Sequence, residues 1–277
     1  MADVSPAAPG ILAGPRSARR QVTFRGGGFL TAPRPLYSWL AFGALFATWQ
    51  AAAAAGWITP VFLPAPVAIL KTLWNLTVSG ALWQHLAASG VRIGSGWIIG
   101  TALGLVAGVA MGLFSGLRAV GMPVVSAVYP IPKIALLPLL VLWMGIGESP
   151  KVAMIAAGVF FPTIIATCSG VDAVPRSLIR MGQSFNMPAV SIVWKIILPA
   201  ALPAVLAGFR ISVASALLLV VAAEMIGAQF GVGAFLLTAG NLMRSDDLMA
   251  GVVVLSALGL AFGALVSVIE KKFLGWR

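Results

Sequence analysis

Residues 96–116, GWIIGTALGLVAGVAMGLFSG, decide the fold class of this chain. The stretch carries no charge and is about as long as the roughly 20 residues that cross a bilayer as a helix. Glycine recurs at every fourth position, so the glycines lie on one helix face and let another backbone approach closely. The stretch predicts a membrane helix in a tight pair, which we interpret as internal to the chain rather than as a subunit contact.

The whole composition extends this interpretation. Of 277 residues, 60% are hydrophobic and only 9% are charged, whereas about 25% are charged in soluble domains. We therefore predict an all-α polytopic membrane protein. The net charge of +11 is typical of cytoplasmic loops that contact anionic headgroups, and it predicts no nucleic-acid partner. Apolar windows predict six transmembrane helices, at 36–56, 88–114, 119–143, 152–171, 197–221 and 247–269.

The distribution of Lys and Arg predicts the orientation. Most of these residues lie in the N-terminal tail, in the segment 172–196 and at the C-terminal end, which favours both termini in the cytoplasm. We expect the chain in the cell inner membrane. Residues 1–35 are predicted to be a disordered basic tail, and 36–277 one transmembrane domain. Residues 57–87 predict an interfacial, partly helical segment, and 222–246 a Gly-rich segment that re-enters the membrane shielded by protein.

The residue types that bind metals are scarce. Cys168 and His85 are single, so we predict a packing role for the first, a structural or interfacial role for the second, and no metal or other cofactor.

The segment 172–196 interrupts the apolar pattern and predicts a helix–turn–helix. Asp172 suits the cap of a first helix, Pro175 its first turn, and Asn186 the left-handed residue that ends it. Pro188 can open a second helix before a new span begins at Pro199. Apolar side chains of the first helix share one face, namely Val174, Leu178, Met181 and Phe185.

This segment resembles the cytoplasmic loop of ABC-importer permeases. The pattern of that loop is Glu-Ala-Ala, three residues, Gly, nine residues, Ile, one residue, Leu-Pro. Its end is matched by Ile196, Leu198 and Pro199, whereas its start is replaced by Arg180, Met181 and Gly182, with Asn186 at the Gly position. The resemblance extends over 60–270 and is closest to importers of nitrate, taurine and other sulfonates. Further blocks carry it, namely YPIPKIALLPLLVLWMGIGESPK (129–151), FFPTIIATCSGVDAVP (160–175), LPAALPAVLAGFRI (198–211) and AAEMIGAQFGVGAFLL (222–237).

The resemblance implies an ABC type I importer permease fold with cytoplasmic coupling helices, in a homodimer. It implies two copies of an ATP-binding subunit and a periplasmic or lipid-anchored substrate-binding protein as partners. The chain itself is then not an enzyme, and it has no G-x-x-x-x-G-K-[ST] phosphate loop. The residues assigned to ATPase coupling are Arg180, Met181, Gly182, Ser184, Phe185, Asn186, Pro188, Ile196, Leu198 and Pro199.

Two other functions compete with this one, an ion-coupled secondary transporter and a membrane scaffold. Secondary transporters usually hold carboxylates inside the membrane, and no acidic residue lies mid-span here. Three cations do lie within predicted spans and suit the path of an anionic substrate, namely Arg92, Lys133 and Arg210. The alternative is structural: the two arginines pair with carbonyl groups, or with Glu148 and Glu224.

Overall fold

The computed structural model describes residues 35–274, so the predicted tail lies outside the described residues except for Pro35. The described chain is helical, and it divides by its internal contacts after Thr48, within the first helix. The helices are α1 (Pro35–Ala54), α2 (Pro66–Val78), α3 (Ala81–Leu113), α4 (Ser115–Val128), α5 (Leu137–Met144), α6 (Ser149–Asp172), α7 (Arg176–Ser184), α8 (Ala189–Ile192), α9 (Leu198–Gly227), α10 (Val232–Asn241) and α11 (Ser245–Phe273).

Within residues 35–274, four helical segments are long and apolar enough to cross a membrane. They are α3, α6, the continuous run Ala189–Gly227 and α11, and the bent pair α4–α5 makes a fifth if it counts as one span. They coincide with the last five predicted spans. Helix α1 coincides with the first and has 20 residues, but it is not among these candidates. A total of six spans therefore stays a prediction.

The span predicted over 119–143 is a bent pair of helices in the structure. Helix α4 ends at Val128, a 3-10 turn covers Lys133–Leu136, and the two halves of the pair are bent by 90°. Pro130 and Pro132 lie at the bend. Neither proline has an N–H group to continue the helical ladder, which explains the break.

Helices α3 and α6 form the most extensive contact of the fold. The glycine stripe of α3 faces α6: a Cβ added at Gly104 would lie 2.7 Å from Thr163 Cβ, and one at Gly108 would lie 2.6 Å from Thr167 Cβ. No side chain fits in so small a gap without a shift. The interpretation of the stripe as an internal helix pair is confirmed from Gly96 to Gly112, whereas Gly116 lies in α4 and a Cβ there would meet no atom within 4 Å.

The main core lies where α3, α5, α6 and α9 meet. Its buried side chains are Ile93, Leu137, Met154, Ile155, Val159, Ala216, Leu219, Val220 and Ala223. Large apolar side chains also cover the outer faces of the helices, such as Val106, exposed by 73%, and Leu260, exposed by 76%. Such outer faces suit lipid rather than water. Cys168 is buried in a smaller cluster, as its predicted packing role requires.

The two segments predicted outside the spans are partly helical. Residues 57–87 contain α2 and the first turns of α3, which confirms a partly helical segment. Within 222–246, α9 continues to Gly227 and the short helix α10 follows, packed on α9 and α11. The first residues of α10 are buried, so protein shields this end of the helix.

Candidate functional site

Residues 172–199 form the predicted helix–turn–helix, with a difference at each end. Helices α7 and α8 are separated by a short turn, and Pro188 is the N-cap residue of α8. A π-helical turn, Val193–Ile197, then connects α8 to α9 without a break. Pro199 is the second residue of α9, and since it has no N–H group it cannot donate to the turn before it. The second helix is therefore continuous with a membrane span.

Asn186 ends the first helix in the left-handed conformation, as predicted, with φ 52°. The Met187 N–H group donates to the Gly182 carbonyl (3.1 Å), and the Asn186 N–H group donates to the Gln183 carbonyl (2.9 Å). These two bonds define a Schellman motif. The turn between α7 and α8 therefore has a fixed geometry.

Asp172 does not cap α7, so that prediction is wrong. It is the last residue of α6, Pro175 occupies the N-cap position of α7, and no side chain caps this helix. The Asp172 carboxylate instead accepts a hydrogen bond from Arg118 Nη2 (3.0 Å). The turn after α6 separates Asp172 from the first N–H groups of α7 and leaves its side chain free to pair with the start of α4.

The apolar residues of this loop divide between two environments. Val174 is buried, with Val171, Ile192, Ile197 and Ala201, in a cluster that attaches the loop to α6 and α9. The rest of the predicted face is exposed. Five exposed apolar side chains form what we call the coupling surface: Leu178, Met181, Phe185, Val190 and Trp194.

The coupling surface lies on the connection between α6 and α9: Leu178, Met181 and Phe185 belong to α7 and the residue after it, and Val190 and Trp194 to the first turns of the run Ala189–Gly227. Phe185 is exposed by 75% and Trp194 by 68%. Arg180 and Ser184 are also exposed, whereas Gly182 is buried against Ile192 and Ile196. Exposed aromatic groups on a rigid turn are typical of a surface that binds protein.

Arg92 has the structural partners that the alternative interpretation named. Its Nε and Nη2 atoms donate to the Glu148 carboxylate, the latter at 2.7 Å. Its Nη1 atom donates to Glu224 Oε1 (2.8 Å) and to the Phe230 carbonyl (2.6 Å). The guanidinium therefore joins α3, the loop before α6, the end of α9 and the loop before α10.

Glu224 is buried, and it holds the N-terminus of α10. Its Oε2 atom accepts the Gly233 N–H group (2.8 Å), and both of its oxygens accept from Ser89 Oγ at 2.8 and 2.9 Å. Ser89 Oγ in turn accepts the Val232 N–H group (2.9 Å). Side chains of α3 and α9 thus satisfy N–H groups that a helix start leaves without partners.

His85 contacts Gly231, the residue before Val232 and Gly233. Its Nδ1 atom lies 3.1 Å from the Gly231 nitrogen and 3.0 Å from the Gly231 oxygen. In the tautomer with its hydrogen on Nε2, Nδ1 accepts from the Gly231 N–H group, and in the tautomer with its hydrogen on Nδ1, this atom donates to the Gly231 carbonyl. The predicted structural role of His85 is confirmed, but its partner could not be predicted. The available signal was the spacing of His85, Ser89 and Arg92, which places them on one face of α3.

The other two cations also have protein partners. Lys133 is buried, and its Nζ atom donates to the carbonyl groups of Val128 (2.9 Å), Tyr129 (2.9 Å) and Ile131 (2.7 Å). The same atom lies 4.7 Å from the centre of the Phe161 ring. These contacts fill acceptors that the bend after α4 leaves open.

Arg210 pairs with neither Glu148 nor Glu224. Its Nη2 atom donates to Glu270 Oε2 (2.6 Å), and this ion pair joins α9 to α11. The Arg210 side chain is 61% exposed. No two of Arg92, Lys133 and Arg210 share a carboxylate or carbonyl partner.

Contacts between Ser89, Arg92, Glu148, Lys151 and Glu224 form a polar cluster, and Glu148 is its exposed member. Its side chain is 60% exposed, and it contacts both Arg92 and Lys151. The hydrogen bonds from Arg92 are the main cause that lowers the pKa of Glu148 to about 2. Glu148 therefore stays ionised at neutral and mildly acidic pH. Among residues 35–274, no group of His, Cys, Asp and Glu could hold a metal ion.

Comparison with known proteins identifies the class. Residues 100–274 match the family described as binding-protein-dependent transport system inner membrane component, and the chain belongs to this family. It is 34% identical to the taurine transport system permease protein TauC of Escherichia coli, over 84% of this chain and 86% of that protein. It is 33% identical to the putative aliphatic sulfonates transport permease protein SsuC of Bacillus subtilis, over 88% and 90% of the two chains.

A solved structure supports the fold. The chain resembles a crystal structure of an amino acid ABC transporter with histidines, with a TM-score of 0.55 and 15% identity, over 72% of this chain and 97% of that one. The resemblance to ABC-importer permeases is confirmed, and with it the transport function over an ion-coupled mechanism.

Proposed function

We propose that this chain is the permease subunit of an ATP-driven importer of sulfonates, including taurine, in the inner membrane. The similarity to TauC and SsuC over more than four-fifths of the chain carries this proposal. Substrate is delivered by a periplasmic or lipid-anchored binding protein, and ATP is hydrolysed by a separate subunit. A strain that lacks its own taurine importer tests the substrate. The chain, expressed with its ATPase and binding protein, restores growth on taurine as sole sulfur source. Growth on sulfate but not on taurine would contradict the substrate.

The coupling surface binds the ATPase. Its aromatic groups are exposed, yet its turn is fixed and its base is buried against α6 and α9. A movement of the ATPase is therefore passed to two membrane helices as a rigid-body change. Phe185→Ser and Trp194→Ser each reduce co-purification of the ATPase. The matched control is Phe273→Ser at the end of α11, a Phe that is 52% exposed and lies outside the loop. Equal ATPase recovery from all three variants would exclude the coupling surface as the contact.

Both termini and residues 172–196 are cytoplasmic in this proposal, and 57–87 and 222–246 are periplasmic. Ser184 and Thr238 are exposed, whereas the native Cys168 is buried with 1% exposure. An impermeant thiol reagent added to intact cells therefore labels Thr238→Cys and spares Ser184→Cys. The reverse pattern would invert the topology.

The transporter contains two copies of this chain and two ATPases, because one chain carries one coupling surface. Mass measurement of the solubilised complex tests this stoichiometry. One copy of the chain for each pair of ATPases would refute it.

A further inference from the structure

The cluster at Glu148 has an unusual distribution of burial. Its two cations are buried, since the side chain of Arg92 is 5% exposed and that of Lys151 is 8% exposed. The carboxylate that they share is 60% exposed. A buried cation needs a partner, because an uncompensated buried charge is costly. The buried Glu224 compensates one of the two positive charges, and the exposed carboxylate of Glu148 compensates the other.

The two edges of the Arg92 guanidinium have different environments. Nη1 is fixed to the buried Glu224 and to the Phe230 carbonyl. Nε and Nη2 point at Glu148 alone among the described residues. We call Nε and Nη2 the outer edge of Arg92. If Glu148 moves away, Nη1 keeps its contacts with Glu224 and Phe230, whereas the outer edge and Lys151 Nζ lose their shared partner.

The segment that carries Glu148 can move outward. It follows Gly145, whose φ is 79°, and Ile146 is 95% exposed. A Cβ added at Gly145 or Gly147 would meet no atom within 4 Å. Residues 142–149 are exposed, so besides the ion pairs of Glu148 an outward movement breaks, within the described chain, only the hydrogen bond from the Val152 N–H group to the Glu148 carbonyl (3.0 Å) at the start of α6.

We propose that the outer edge of Arg92 and Lys151 Nζ form a binding site for the sulfonate group of the transported solute, and that Glu148 occupies this site until solute displaces it. The inference rests on the proposed function for the choice of solute. Arg92 and Lys151 carry two positive charges and Glu224 one negative charge, so an empty site has an excess of one positive charge. A monoanion restores the balance.

The number of donors favours sulfonate over carboxylate. In the present state Glu148 Oε1 accepts from both Arg92 Nη2 (2.7 Å) and Lys151 Nζ (3.2 Å), while Oε2 accepts from Nε. A sulfonate has three oxygens, one for each donor. The planar edge of arginine suits a pair of such oxygens, as it does for carboxylate and phosphate groups. Glu148 thus closes the site in the absence of solute and separates two cations from water.

The test is methanesulfonate binding to the purified permease–ATPase complex, measured by calorimetry at constant ionic strength. In Glu148→Gln the internal competitor is gone, and we expect the dissociation constant to fall about tenfold, the factor for a site that Glu148 leaves open in about one molecule in ten. Asp246→Asn is the matched control, an exposed carboxylate that forms no ion pair within residues 35–274. It should bind methanesulfonate as the wild type does. The double variant Glu148→Gln/Lys151→Met should lose the gain. Equal affinity in Glu148→Gln and wild type would overturn the site.

A second measurement does not depend on the stability of Glu148→Gln. Ile146→Cys accepts a nitroxide label, whereas Cys168 is buried. Taurine-loaded binding protein, added to the labelled complex in nanodiscs, should increase the mobility of the label, and solute-free binding protein should not. An unchanged spectrum in a complex that imports taurine would refute the displacement of Glu148. Taurine uptake by the wild type tests the proposed substrate separately. If that uptake fails, the tenfold gain of Glu148→Gln for methanesulfonate still reports on the site.

Discussion

Asn186 combines a backbone requirement with a change from the sequence pattern of the family. The turn needs a positive φ, which costs an ordinary residue about 1–2 kcal/mol, whereas Gly is exempt and Asn is partly so. The substitution of Gly by Asn therefore leaves the turn intact. This position could be assigned from sequence because local chemistry alone determines it.

Asn186→Gly should be nearly silent, and Asn186→Val should disrupt the turn, because a β-branched residue fits positive φ badly. Since α7 and α8 lie outside the main core, the Val variant should insert and dimerise normally. It should lose the stimulation of ATP hydrolysis by loaded binding protein, measured in the reconstituted complex. Full stimulation of the Val variant would show that the turn does not transmit coupling.

Arg92 and Arg210 differ in burial, and their replacement should differ in cost. Arg92→Met leaves Glu224 buried without its counter-ion, a loss of about 3–5 kcal/mol of stability. Arg210→Met removes a pair whose arginine is 61% exposed, and should cost about 0–1 kcal/mol. Thermal unfolding of the two solubilised variants measures the difference. Equal stability would mean that Glu224 does not depend on Arg92.

At the scale of elements, the glycine stripe of α3 gives a matched pair of substitutions. Gly104→Ala places a methyl group 2.7 Å from Thr163 Cβ and 2.9 Å from the Phe160 carbonyl oxygen, so α3 and α6 must separate. Gly94→Ala on the same helix meets no atom within 4 Å, and Ala is the better helix former by about 1 kcal/mol. Gly104→Ala should lower the thermal stability of the solubilised protein, and Gly94→Ala should keep or raise it. Similar effects of both would contradict the helix pair.

The same helices show which features sequence could and could not predict. Hydropathy and glycine spacing predicted α3, α6, α9 and α11, because lipid and close packing impose long-range regularity on the residues. Pro130 and Pro132 indicate a break between α4 and α5, but its 90° angle was not predicted, because the whole window is apolar and the partners of Lys133 Nζ form only in three dimensions.

The polar cluster illustrates the same limit. Its pairing of Arg92 with Glu148 and Glu224 was one of two alternatives, and the contacts of Ser89 with α10 were not predicted at all. They join residues more than 50 positions apart, such as Arg92 and Glu148. A hydropathy window compares only neighbouring residues, so it cannot predict such contacts.

At the scale of the whole molecule, the chain is one component of a transport system. Its membership of the binding-protein-dependent transport family means that transport depends on other subunits. The coupling surface and the loop that carries Glu148 are the two exposed regions that we assign to partners or solute. They belong to different connections, one after α6 and one before it. Helix α6 joins them, and it packs along the glycine stripe of α3. If solute binds at Glu148 and the ATPase at the coupling surface, as we propose, the closely packed α3–α6 pair connects the two sites.

We expect ATP, and not an ion gradient, to drive import through this chain. The most direct test is uptake of labelled taurine into proteoliposomes that hold the permease with its ATPase, with binding protein on the outside and ATP enclosed. We expect uptake that requires all three proteins and ATP, and that persists when ionophores abolish proton and sodium gradients. Uptake by the permease alone, driven by an imposed gradient and stopped by ionophores, would contradict this expectation.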